Sequence, residues 1–186
     1  DWESEETTAK QSNYTIQENL GTLEVTEYAK EIAVVTTGGE YTYDGTAHGA
    51  TVQVNGLPQG YTVQVAQSSA SATDVTTEAV AATADQLVIL NDQGKDVTSK
   101  LNLKYTNGQI IVNPATLTVT TESATKEYDG TALTATGKVS GLVNGEEVAF
   151  RTTGSQTTVG TSQNTYEIDW ESEETTAKQS NYTIQE

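Results

Sequence analysis

The chain has 186 residues, with 26 acidic against 9 basic side chains, a formal charge of −17, and no cysteine. Such an acidic balance works against binding to nucleic acid or to an anionic membrane surface, and without thiols neither a disulfide framework nor a thiolate metal centre can form. No apolar run approaches a membrane span and no basic and apolar leader opens the sequence, so membrane insertion is not expected. Residues rich in Thr, Val, Gly and Tyr, with only two prolines, favour strands joined by tight turns.

Residues 1–18 recur letter for letter as 169–186, a period of 168. Self-similarity at a fixed period is the signature of an array of modules. A more diverged repeat lies inside it. The stretch from Ile32 to Ala47 aligns without a gap on Leu117 to Ala132, 85 positions later, and the same offset carries Gly56, Leu57, Gly60 and Val63 onto Gly141, Leu142, Gly145 and Val148. The chain therefore reads as 1–31, the tail of a preceding unit; 32–116, a first complete unit; and 117–186, a second unit lacking its closing strand. A signal or anchor is expected to lie outside this piece.

In chain order, the tail carries a closing strand at 22–25 and a connection at 26–31. In the first unit, Tyr61-Thr-Val-Gln-Val places apolar side chains at every second position, the period of a strand with one face buried. Residues 78–90, with Ala79, Ala81, Ala82 and Ala84, could form a short helix, although Val88-Ile-Leu reads as a strand. A closing strand follows at 109–112, and Asn113-Pro114-Ala115 is a short, stiff link. The second unit predicts strands at about 117–121, 131–140, 146–153, 163–169 and 181–184, with a solvated acidic loop at 171–176. Asn55-Gly56, Asn107-Gly108, Asp129-Gly130 and Asn144-Gly145 are turn dipeptides, since glycine takes positive φ freely.

Tyr43-Asp44-Gly45-Thr46-Ala47 and Tyr128-Asp129-Gly130-Thr131-Ala132, the Gly-Leu-x-x-Gly hairpin, Thr157-Thr-Val-Gly160 and the closing Asn-Tyr-Thr-Ile followed by Gly-Thr-Leu-x-Val resemble the tandem YDG or MBG-type repeats of large bacterial surface proteins of the Gram-positive type. The resemblance implies mostly-β modules of cell-wall-anchored or secreted adhesins, extracellular and repeated in long stalks. The expected fold is all-β: tandem small immunoglobulin-like sandwiches in an elongated array, with a β-grasp-like sheet carrying one short helix as the alternative. The first unit departs from the pattern at 68–83 and at Leu101-Asn-Leu.

Chemistry is sparse. His48 is the only histidine and aligns with Leu133, so a general-base role would be private to one unit; there is no Ser-His-Asp set, phosphate loop or metal motif of His or Cys spacing. The chain is read as non-catalytic and without a cofactor. Asp44 and Asp129 either accept N–H bonds within their own turns, the preferred reading, or join Glu40 or Glu127 in a calcium site. Tyr43 and Tyr128 are expected to be half-buried, each covering the end of its core. Trp2 and Trp170 precede the acidic loop and either pack on their own unit, which is preferred, or stack on carbohydrate. Extracellular modules of this class also carry Lys–Asn isopeptide cross-links, for which Lys126 with Asn181 is the pairing to be constructed here; the first unit has Tyr41 at the lysine position. Asn13 and Asn181 head glycosylation-type triplets, read as accidental in a bacterial chain.

The function expected from this reading is a stiff stalk that projects a distal binding domain. The alternative is a multivalent module that itself binds host glycan or protein. Expected partners are neighbouring units of the same chain and other copies, residues 1–31 of one molecule completing 117–186 of the next head to tail, in place of some or all of 169–186.

Overall fold

The computed structural model describes residues 8–26 and 28–185, and these form an all-β chain. Its strands are β1 (Tyr28–Thr37), β2 (Gly39–Thr42), β3 (His48–Gly49), β4 (Thr51–Asn55), β5 (Thr62–Gln67), β6 (Ser71–Ala72), β7 (Val80–Ala82), β8 (Gln86–Leu90), β9 (Leu101–Thr106), β10 (Gly108–Asn113), β11 (Ala115–Thr121), β12 (Gly137–Ser140), β13 (Ala149–Thr152), β14 (Tyr166–Asp169) and β15 (Tyr182–Gln185).

One arrangement occurs twice. β1 lies between antiparallel β4 and parallel β9, and β11 lies between antiparallel β12 and parallel β15. The two central strands are the most strongly patterned segments of the chain: Ile32, Val34 and Thr36 are buried in β1, and Ala115, Leu117 and Val119 in β11. Alternate residues of a strand share one face, so each sheet buries that face and leaves the other wetter. Small antiparallel pairs complete both units, β5 with β8 in the first and β13 with β14 in the second.

The first unit has a further sheet, in which β10 lies between parallel β2 and antiparallel β7. The chain leaves the β1 sheet at the end of β9 and enters this one at Gly108. That glycine opens β10 rather than forming a turn, and its φ is not positive. A Cβ there would lie 2.6 Å from the Thr36 carbonyl oxygen and 2.8 Å from the Gly38 nitrogen, so the strand exchange itself requires a residue without a side chain.

Several expectations are corrected. Residues 78–90 form β7 and β8, and no α-helix occurs among the described residues. The alanines there carry only a weak helical bias, which pairing with β10 and β5 overrides. The strand expected over 131–140 shortens to β12, preceded by a single bridge between Leu133 and Gln156. The closing strand expected at 22–25 does not form: 14–26 carries no strand, and Leu20, Leu23 and Val25 are 82%, 102% and 99% exposed.

The identical 18-residue copies separate local from tertiary causes. Gln11–Asn13 and Gln179–Asn181 are both 3₁₀ turns, preceded by lysines at φ −93°, ψ 127° and φ −93°, ψ 124°. The sequence alone sets that turn. Burial does not follow it, since Tyr14 is 60% exposed and its twin Tyr182 only 7%.

Candidate functional site

The best-built polar constellation lies where the two units meet. β10 passes through Asn113-Pro114 directly into β11, and one apolar cluster joins Tyr43, Ile110, Val112 and Ala115 of the first unit to Leu117, Ala177 and Tyr182 of the second. The rings of Tyr43 and Tyr182 meet edge-on with centroids 5.5 Å apart, an arrangement favoured by the aromatic quadrupoles. Both hydroxyls donate to Glu146, Tyr43 to Oε1 and Tyr182 to Oε2, each at 2.5 Å. A single carboxylate thus ties a tyrosine from each unit. The Val143 N–H in turn donates to the Tyr182 hydroxyl oxygen at 3.1 Å.

Glu146 is placed by the Asn144-Gly145 turn, in which both residues have positive φ, 52° and 72°. That turn also rests on the opposing motif. Asn144 donates from Nδ2 to the Gly45 carbonyl at 3.4 Å, and a Cβ at Gly45 would lie 2.6 Å from the Asn144 Cβ. Gly45 is therefore required twice, for its φ of +74° and for the approach of the next unit.

On another side of the joint, Asn181 is fully buried. It accepts from the Val75 N–H at 2.9 Å and donates to Asp74 Oδ1 at 2.9 Å, while Lys178 reaches Asp74 Oδ2 at 2.5 Å. The Lys178 and Asn181 hydrogen bonds hold the Asp74 carboxyl below its ordinary range.

Residues 113–186 match the YDG domain. No curated protein and no solved structure matches the chain significantly. In the YDG-matched segment the motif itself is Tyr128-Asp129-Gly130, and the structure shows what its aligned copy, Tyr43-Asp44-Gly45, does when another unit packs on it: the tyrosine supplies a buried hydroxyl, the aspartate shapes the turn and the glycine admits the neighbour. Tyr128 is 69% exposed against 5% for Tyr43, and a Cβ at Gly130 would meet nothing within 4 Å. The two tyrosines are thus not both half-buried as expected; their burial depends on what packs against them.

Asp44 accepts from the Thr46 N–H at 2.9 Å and its hydroxyl at 2.7 Å, and Asp129 accepts from the Thr131 N–H and hydroxyl, both at 2.8 Å. These are side-chain turns of the kind the preferred reading describes. The hydrogen bonds lower both carboxyl pKa values, chiefly through Thr46 for Asp44 and through Lys126 for Asp129. Lys126 Nζ, 2.8 Å from Asp129, stands where a cation would be drawn. Neither aspartate belongs to a cluster of three or more His, Cys, Asp or Glu suited to a metal among the described residues.

The remaining candidates are dispersed. His48 is stacked on Tyr41 with ring centroids 3.9 Å apart, and its Nε2 lies 3.1 Å from Asp44 Oδ1. Lys126 engages Asp129 and Thr131, whereas Asn181 engages Asp74 and Val75, so the two residues of the proposed cross-link are held by different partners. Trp170 is half-buried against the joint cluster, and Trp2 lies outside the described residues. Glu146, Asp74 and Lys178 escaped the sequence reading. Only the Asn144-Gly145 turn pointed toward Glu146, and no sequence signal marked the other two.

The joint carries a pH signature. Burial first, then the hydrogen bond to Glu146, pushes the Tyr182 phenol up to about 12, and the same causes raise Tyr43. The folded chain keeps these protons after the unfolded chain releases them near pH ~10. The contribution is therefore complete below pH ~10 and is lost as pH rises towards 12. A tyrosinate absorbance titration followed with near-ultraviolet circular dichroism is expected to show two late-titrating phenols whose ionisation accompanies unfolding. Glu146→Gln removes the anionic acceptor and is expected to move that transition to lower pH; an unchanged transition would detach these phenols from Glu146.

Proposed function

We propose that the chain is a non-catalytic spacer segment of a bacterial surface adhesin of the Gram-positive type: an extracellular array of small β units that holds a distal binding domain away from the cell wall. The observation that carries this reading is the joint. Spacers need units that do not swivel, and swivelling here would break the Tyr43 bond to Glu146, the Asn181 bonds to Asp74 and Val75, and one continuous apolar cluster. The link is also short, a strand passing through one proline into the next strand. The YDG match over 113–186 supports a YDG-type domain, and the recurrence of 1–18 at 169–186 supports a repeated module. The acidic surface keeps neighbouring stalks apart and soluble.

Stiffness is measurable within one molecule. The chain has no cysteine, so Gln59→Cys with Thr157→Cys, both at exposed positions, places one spin label in each unit. Double electron–electron resonance is expected to give one narrow distance distribution, broadened by Glu146→Ala combined with Asp74→Ala. A broad distribution in the parent chain would remove the physical basis of the spacer.

A further inference from the structure

The chain carries neither cysteine nor methionine, but nine tyrosines and two tryptophans. Sulfur side chains ordinarily take up oxidants, so here that chemistry falls on the aromatic rings. A phenol gives up an electron most readily when a base receives its proton in the same step. Two phenols of this chain share one such base: Tyr43 donates to Glu146 Oε1 and Tyr182 to Oε2, each at 2.5 Å. These are short, charge-assisted bonds along which the proton has little distance to travel.

The two rings are also neighbours. Their centroids lie 5.5 Å apart at an interplanar angle of 83°, so the rim of one ring meets the face of the other. Because both hydroxyls end on one carboxylate, the carbons ortho to them lie at the same end of the pair. Tyr43 and Tyr182 are buried and share their cluster with Ile110, Val112, Leu117 and Ala177, which offer no competing reductant. Trp170, half-buried, packs against the same cluster. An indole oxidised there is reduced by the neighbouring phenols, so the oxidant itself need not enter.

We propose that Tyr43 and Tyr182 form an oxidative cross-linking site, at which a one-electron oxidant joins the two units through a carbon–carbon bond between the rings. Each phenol loses one electron to the oxidant and its proton to the Glu146 oxygen it bonds. Glu146 is only half-buried and passes the first proton to water before the second oxidation. The apolar surroundings protect the first phenoxyl radical until the second forms. The radicals then couple at their ortho carbons, and the hydrogens on those carbons move to the two oxygens, restoring both hydroxyls. The net change is loss of two electrons and two protons, with one carbon–carbon bond formed and two carbon–hydrogen bonds broken. The product, a dityrosine, ties the first unit to the second across the joint. Closing so long a loop restricts chiefly the unfolded chain, so the linked form resists unfolding.

The test is light-driven oxidation of the dilute intact chain by a ruthenium polypyridyl complex with persulfate, which takes up the two electrons as two sulfate ions. The expected result is a monomer lighter by two hydrogen atoms, with dityrosine fluorescence, whose digest holds the peptides of Tyr43 and Tyr182 joined. Tyr43→Phe and Tyr182→Phe are each expected to abolish the fluorescence of the monomer; phenylalanine keeps the buried ring, so loss of folding does not explain the effect. Tyr128→Phe, at an exposed position, is expected to leave it intact. Glu146→Gln keeps an acceptor but takes up no proton, and is expected to slow coupling at least about tenfold, a modest share of what a positioned base contributes. Dityrosine confined to covalent dimers overturns the proposal, as does a fluorescent monomer that persists in Tyr43→Phe, oxidation of both rings without a link, or coupling indifferent to Glu146→Gln. The inference goes beyond the spacer reading and fails separately from it, since the link is read by mass and joint stiffness by distances in the unoxidised chain.

Discussion

Replacing Tyr182 by alanine is expected to destabilise the chain by about 3–5 kcal/mol, the range for deleting a large buried aromatic, while the same substitution at Tyr14 changes stability by less than about 0.5 kcal/mol. The two residues sit in identical 18-residue sequences and follow the same 3₁₀ turn, so local propensity cancels between them. What differs is tertiary: Tyr182 is 7% exposed, begins a strand paired with β11, and bonds Glu146, whereas Tyr14 is 60% exposed and lies outside any strand. The loss at Tyr182 falls on both units, because its ring is shared with Tyr43. Calorimetry is expected to show the two units melting together in the parent chain and separately in Tyr182→Ala. Equal effects at positions 14 and 182 would mean that the joint contributes nothing and that the turn sequence alone matters.

That contrast also marks what the sequence could convey. Alternation made β11 legible, because Ala115, Leu117 and Val119 face one side and threonines the other. Asn144-Gly145 and Asp129-Gly130 were legible as turns because positive φ has few residue solutions, and their glycines have φ +72° and +78°. Asn107-Gly108 has the same letters for another reason: Gly108 is a glycine because two backbone groups approach it, and a pair of letters does not say which constraint chose it. Parallel pairings such as β1 with β9 were not legible, since partners far apart in sequence leave no local mark. Val88-Ile-Leu read as a strand and lies in β8, whereas the alanines at 79, 81, 82 and 84 suggested a helix because the pairing of β7 with β10 comes from outside the window.

The site was half legible. The Tyr-Asp-Gly repeats stood out by self-comparison, yet self-comparison treats both copies alike and therefore cannot foresee that Tyr43 is covered and Tyr128 exposed. It also hides Glu146, which aligns with Tyr61, so the carboxylate that holds the joint has no counterpart in the first unit. A residue that acts across a boundary need not recur, because each side of a joint is a different surface. Repetition thus located the motif, and only packing revealed its acceptor.

Asn181→Asp is expected to invert the acid dependence of the joint. Asn181 is wholly buried, with one end of its amide accepting from the Val75 N–H and the other donating to Asp74. The aspartate keeps the shape and the first bond, but at neutral pH it sets an anion against the Asp74 carboxylate in place of a donor. Lys178 offsets part of that charge from its exposed side. Losing that hydrogen bond at a wholly buried position costs on the order of 1–3 kcal/mol, tempered by the half-exposed Asp74, and that loss is expected near pH 7 in chemical unfolding. In the parent chain Asp74 has a lowered pKa, so its contribution is present above the ordinary carboxylate range and is lost as pH falls through the depressed value. In Asn181→Asp the facing carboxyls share a proton and one pKa is raised, so the folded variant gains protons as pH falls toward ~4 and recovers stability over that interval. Unfolding free energies from pH 3 to 8 should therefore converge on the acid side and diverge toward neutrality. Parallel curves would show that Asn181 fills space without its amide donor engaging Asp74, and the polar half of the joint would then contribute no rigidity.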